Sequence, residues 1–222
     1  MARLFSVPVQ LGPGGFAPAL VLGGLFAEIG ARAGFSVWLA AIVGATGGTL
    51  SLLLHEFGHA RAASRLNGIR PVAVSLMWLG AGTKLEGAYQ RGRDQVRVAL
   101  AGPLMSFAIA FAIVPALFIP MAPGLRDQLL TLIALNVALA IVSLIPANPL
   151  DGYKLVTGLL WSLLGSERAA RRVGSRLTVA WMTVEVVAAA LLTLEKPMLG
   201  ETAVVLSVTM LAQKLVLARR RA

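Results

Sequence analysis

Two histidines and a glutamate stand together in HEFGH, residues 55–59, and these are the only histidines of the chain. On a helix, positions i and i+4 share a face, so His55 and His59 can offer two imidazoles to one metal ion. Glu56 lies one residue round, placed to meet a water that the metal polarises. HExxH is the zinc metalloprotease pattern for this reason. Zinc polarises a scissile carbonyl and brings the pKa of its water towards about 7. Glu56 would take the proton from that water and pass it to the leaving amine.

The motif sits in unusual company. Leu50, Leu52, Leu53 and Leu54 run straight into it, so three polar or ionisable side chains lie in membrane-grade sequence. Charged types cost about 2.5–3.5 kcal/mol each at the centre of an inserted helix, and those that persist mark function by default. In a soluble protein the same pattern is often two satisfied helix histidines; here idle residues would be expensive.

A catalytic zinc site takes three protein ligands and keeps one position open. With no third His and no Cys, the third ligand must be a carboxylate. Glu28, Asp127, Glu195 and Glu201 fall at the wrong membrane face, and Glu86, Asp94 and Glu167 fall in basic connections. Glu185 lies mid-span, and it is assigned no role beyond a buried hydrogen bond. From Val37 to His55 is about 27 Å of helix, which puts His55 towards the cytoplasmic side. Asp151 follows the fourth apolar run and reaches that same side. Pro146 and Pro149 stop the helix before it and expose carbonyls, Asn148 can bond them, and Gly152 lets the chain turn. Asp151 is the expected third ligand.

The elements that must position these groups are membrane spans. Of 222 residues, 57% are hydrophobic and 14% charged, against about 25% charged in soluble domains. The absence of Cys excludes disulfides and thiolate metal sites. Six segments approach the roughly 20 apolar residues of a transmembrane helix: residues 15–31, 37–64, 96–121, 129–145, 177–194 and 199–217. The N-terminal VPVQLGPGG, with Arg3 as its one basic residue, is a poor signal peptide, so the first run is expected to be retained. The chain is read as one domain, 1–222, with the zinc core at 37–152 and an amphipathic helix and two spans at 153–222. No appended soluble domain is expected.

The net charge of +10 does not indicate nucleic acid, because the basic residues lie between apolar runs. Place the N-terminus, residues 61–97, residues 151–176 and the C-terminal tail on one side. That side then holds every Lys and Arg except Arg32, Arg126 and Lys196. The Lys/Arg bias marks cytoplasmic loops, so both termini are expected inside, and anionic lipid is the expected partner of the positive charge.

Two connections are more than loops. Residues 71–85, PVAVSLMWLGAGTKL, alternate and are β-branched before a GAG turn, which predicts a short hairpin dipping towards the bilayer. Residues 153–176 begin apolar and end basic, which predicts an amphipathic helix on the inner surface. Gly44 and Gly48 are spaced for close helix packing beside the metal helix. Gly102-Pro103 is expected to bend the third span and make room for the site.

HEFGH on the second span, AGPLMSF (residues 101–107) on the third and SLIPANPLDG (residues 143–152) after the fourth together resemble the site-2 protease family of intramembrane zinc metalloproteases. The resemblance implies an all-α, multi-pass protein of a bacterial or archaeal cell membrane, with one zinc ion held by His55, His59 and Asp151 and with Glu56 as catalytic acid/base. It implies that the hairpin holds an unwound substrate segment by strand pairing, which makes Val74 and Leu76 candidate substrate contacts. Asn148 is a further candidate. Asn136 matches a polar position of the family and either binds substrate or an oxyanion, or joins two helices. Ser143 and Tyr153 stand where the family often has Asn and Gly, which loosens the inference about substrate positioning.

The expected activity is hydrolysis of peptide bonds in or near transmembrane segments of other membrane proteins. The alternative is a non-proteolytic zinc protein that binds transmembrane helices, but such a protein has no need of Glu56. A metal transporter would want a path of several ligand sets, and the chain offers one.

Overall fold

The computed structural model describes residues 3–4, 7–78 and 80–195. The chain divides after Leu144 into two compact units. The first contains strands β1 (Arg3–Leu4) and β2 (Val7–Leu11), helices α1 (Ala17–Arg32) and α2 (Val37–Val43), and a π-helical turn (Gly44–Gly48) leading into helix α3 (Thr49–Ala63). Strands β3 (Ile69–Met77) and β4 (Gly80–Gly87) follow, then helix α4 (Gly92–Ile113) with a 3-10 extension (Val114–Phe118), and helix α5 (Pro123–Ser143). The second unit contains helices α6 (Asp151–Leu164) and α7 (Glu167–Glu195).

Three helical stretches among the described residues are long and apolar enough to cross a membrane: Val37–Ala63 and Gly92–Phe118, each of 27 residues, and Pro123–Ser143, of 21. Their polarity runs inside out. Ser51, His55, His59, Ser106, Gln128 and Asn136 are buried, whereas Trp38 is 80% exposed and Phe111 78%. A water-soluble bundle would bury those rings; contiguous apolar outer faces suit lipid. The pattern is that of a membrane protein.

These three are the second, third and fourth expected spans; the other three are not shown among the described residues. The first shrinks to α1, whose 16 residues begin with Pro18 in the first turn and end at Arg32, paired to Glu28 at 2.8 Å. At 1.5 Å per residue α1 is about 24 Å long, short of the roughly 30 Å hydrocarbon thickness. The fifth falls inside α7, which is not among the three long apolar helices. The sixth, residues 199–217, lies outside the described residues.

The amphipathic helix expected over 153–176 is also corrected. Its apolar half is α6, which ends where Gly165 adopts a left-handed conformation at φ 66°. Its basic half is the start of α7, where Ser166 Oγ accepts a hydrogen bond from the Ala169 amide at 3.3 Å. That is an ordinary helix stop followed by an N-cap. Helix α7 then runs without a break through residue 176.

The hairpin is present and larger than expected. Strands β3 and β4 pair antiparallel with an irregularity between Pro71 and Ala73, and β2 adds to β3 in parallel, Val9 opposite Val74 and Leu11 opposite Leu76. The order is β1-β2-β3-β4, so β3 is an inner strand with both ladders occupied. Val74 and Leu76 are buried on it. An added strand therefore has the outer edge of β4, not the edges of β3, as its place against the hairpin.

Gly44 and Gly48 do pack helices closely. A Cβ at Gly44 would lie 2.4 Å from the Leu22 carbonyl oxygen, and one at Gly48 would lie 2.7 Å from Leu22 Cδ1. Both face α1, which lets the span that carries the motif lie against it.

Candidate metal centre

Helix α3 presents two stripes to two neighbours. Leu53, Glu56 and Ala60, at helical spacing, face the sheet, where Leu53 and Ala60 pack with Val7 and Val74. His55, Gly58 and His59 face α4. A Cβ at Gly58 would lie 2.5 Å from the Ala101 carbonyl oxygen, so the two backbones touch at this point and bring the imidazoles onto α4.

Helix α4 fixes both rings by their outer nitrogens. His59 Nδ1 donates to the Val98 carbonyl oxygen at 2.7 Å. A carbonyl only accepts, so Nδ1 carries a proton, and in the neutral imidazole Nε2 then keeps the lone pair a metal needs. His55 Nδ1 lies 2.9 Å from Ser106 Oγ, and Ser106 is fully buried. Partners of this kind set the tautomer and orientation of metal-binding histidines. The two Nε2 atoms then converge at 3.3 Å, with the rings edge to face at 77°.

That convergence fits one ion. Two nitrogens each about 2.0–2.1 Å from a tetrahedral zinc lie about 3.3 Å apart. Space beside them comes from a missing side chain: a Cβ at Gly102 would be 2.2 Å from His59 Nε2 and 2.7 Å from His55 Nε2. Gly102 thus makes the room that was expected from a bend, while α4 continues through Pro103.

Asp151 belongs to the second unit. It is the first residue of α6, is buried, and accepts a hydrogen bond from Lys154 Nζ at 3.0 Å. A carboxylate in a first helical turn is favoured by the helix dipole. His55 and His59 of the first unit and Asp151 of the second are two imidazoles and a carboxylate, which in chemistry is a donor set suited to one zinc ion.

Glu56 is half-buried, and Thr83 Oγ1 on β4 lies 2.7 Å from its Oε2 and 2.8 Å from its backbone oxygen. Asn136 on α5 donates through Nδ2 to Ser51 Oγ and to the Leu132 carbonyl oxygen, both at 2.9 Å. It therefore joins two helices one turn before His55, and its buried Oδ1 has no partner among the described residues. Asn148 is exposed in the second unit, and its amide donates to Thr178 Oγ1 at 3.3 Å.

Two groups at this centre escaped the sequence reading. Ser106 carries a readable signal, a hydroxyl four residues after Gly102 on one face of an apolar span. Thr83 carries only a weaker one, the single hydroxyl of β4. We expect Ser106→Ala to weaken zinc binding about 10- to 100-fold, as loss of such partners does. Competition with a chelator of known affinity measures it, with unchanged helix content as the control.

No family model matches the chain. Two similar proteins each bear the name putative zinc metalloprotease. Rip3 of Mycobacterium tuberculosis is 35% identical over 150 residues, covering 61% of this chain and 37% of that protein. The protein sll0528 of Synechocystis is 27% identical over 198 residues, covering 84% of this chain and 51% of its own. The chain thus spans about half or less of the length of these relatives. Among solved structures, a site-2 protease from Methanocaldococcus jannaschii shares the fold at a TM-score of 0.57 and 19% identity, over 94% of this chain and 89% of that one. In sequence the chain is thus similar to putative zinc metalloproteases, and in fold it is similar to a site-2 protease.

Proposed function

We propose that the protein is an intramembrane zinc endopeptidase that hydrolyses peptide bonds in or near the transmembrane segments of other membrane proteins. The observation that carries this reading is the pair of Nε2 atoms 3.3 Å apart, beside the space left by Gly102. The names of its relatives support zinc as the metal. His55, His59 and Asp151 hold the ion, which when bound supplies Lewis acidity for the scissile carbonyl and a water of lowered pKa.

The chain's own residues carry the proton. Glu56 takes it from the attacking water as the new C–O bond forms. It then delivers it to the amide nitrogen as the C–N bond breaks, so that a carboxyl and an amine leave. A peptide bond inside a helix is hidden by its own hydrogen bonds. The outer edge of β4 would accept a locally unwound segment by strand pairing, and Asn136 Oδ1, buried in this state, would accept one substrate N–H only once uncovered. Asn148 would contact substrate from the second unit. The Lys/Arg bias supports placing the basic connections and both termini in the cytoplasm.

The test is metal content and cleavage together. Purified protein is mixed with a tagged single-span test protein whose apolar span carries a Gly-Pro break, and the products are resolved by mass. Wild type should cleave it and hold one zinc per chain. Asp151→Ala should lose both zinc and cleavage; undiminished zinc in that variant removes Asp151 from the ligand set.

A further inference from the structure

We propose that Thr83 is the positioning residue of Glu56, and that through it the hairpin holds the proton-carrying carboxyl group in place. The inference rests on Glu56 being the proton carrier. Its basis is the double contact of one hydroxyl, 2.7 Å to Oε2 and 2.8 Å to the backbone oxygen of the same residue. A glutamate has three side-chain torsions and gains precision only if something immobilises its end.

The platform beneath Thr83 is firm. Thr83 pairs across the ladder with Val74, and paired residues of antiparallel strands face the same side of a sheet. Val74 is 1% exposed and packs with Ala60 and Leu53 of α3. The face that carries Thr83 is thus seated on the stripe of α3 that carries Glu56.

The hydroxyl suits both states of the carboxyl group. It has one hydrogen and can also accept. While Glu56 is ionised, Thr83 donates to Oε2 in a charge-assisted bond. Once Glu56 has taken the proton on Oε2, that O–H donates to Thr83 Oγ1, and the Thr83 hydrogen turns to the Glu56 backbone oxygen. If Oε1 takes it, the first bond persists. Oε1 has no partner among the described residues and is the oxygen left to work. Because β4 is also the strand with the open outer edge, a peptide added there and the group that protonates it share one support.

Thr83→Val keeps the shape and removes the hydroxyl, while Thr83→Ser keeps the hydroxyl. Against the test protein above, Thr83→Val should lower kcat about 10- to 100-fold, the size of one charge-assisted hydrogen bond. KM and zinc content should stay unchanged, and Thr83→Ser should remain within about threefold of wild type. Infrared difference spectra between Thr83→Val and wild type should show a carboxylate band shift that vanishes in a Glu56→Gln background. Wild-type kcat in Thr83→Val, equal losses in Val and Ser, loss of zinc in Thr83→Val, or no band shift each overturn the proposal. Full cleavage by Glu56→Gln would instead overturn the reading of Glu56 on which it rests.

Discussion

Gly102→Ala should strip the protein of its metal. The added methyl carbon would stand 2.2 Å from His59 Nε2 and 2.7 Å from His55 Nε2, where no carbon can approach nitrogen so closely. It cannot be relieved by rotating a distal group, since both rings are anchored on α4 at Val98 and Ser106. Alanine favours helix by about 1 kcal/mol over glycine, so α4 itself gains. The variant should fold, keep its helical spectrum, and lose zinc affinity by more than the 10- to 100-fold of a single outer contact. Equilibrium dialysis against zinc measures it, and cleavage should fall with occupancy. Wild-type affinity in this variant would mean that the metal does not sit between the two Nε2 atoms.

Glu56→Gln is expected to separate capture from cleavage. The amide keeps the size of the side chain and can still bond Thr83, but it cannot carry a proton. General acid–base catalysis contributes about 10²- to 10⁴-fold, and one group serving both transfers puts the expected loss of kcat near about 10⁴. Zinc content should hold at one per chain, and the test protein should co-purify uncut. A variant that cleaves at the wild-type rate would move the proton to another residue. Equal capture without cleavage by wild type and variant would favour a zinc protein that binds transmembrane helices.

The convergence of His55 and His59 was legible in the sequence because it is local. Spacing by four on a helix fixes which side chains share a face, whatever the tertiary structure does. The three central spans were legible for a similar reason, as long apolar runs leave lipid as the natural medium. Ser106 and Val98 were not, because which turn of α4 meets His55 depends on the contact of Gly58 with Ala101, 43 residues apart by number. Thr83 depends on strand register, which a short apolar run does not encode. The break at Gly165-Ser166 did have its signal, a glycine stop before a serine cap, but the amphipathic pattern of 153–176 masked it. The parallel pairing of β2 with β3 joins residues more than sixty positions apart, and nothing in VPVQL names its partner.

The π turn at Gly44–Gly48 has a consequence for the phase of its span. Such a turn carries one residue more than α-helical winding needs, which offsets everything before it by about 100° about the axis. Before the offset, Ala40 and Ala41 of α2 lie against Gly30 and Gly23 of α1; after it, Gly58 and both histidines mesh with α4. One continuous span thereby satisfies two neighbours whose demands are out of step. Deleting a single residue from GATGG would restore regular winding and turn α2 against α1 while leaving HEFGH aligned with α4. The extra residue acts as an angular clutch between the helix that anchors the span and the helix that shapes the metal centre.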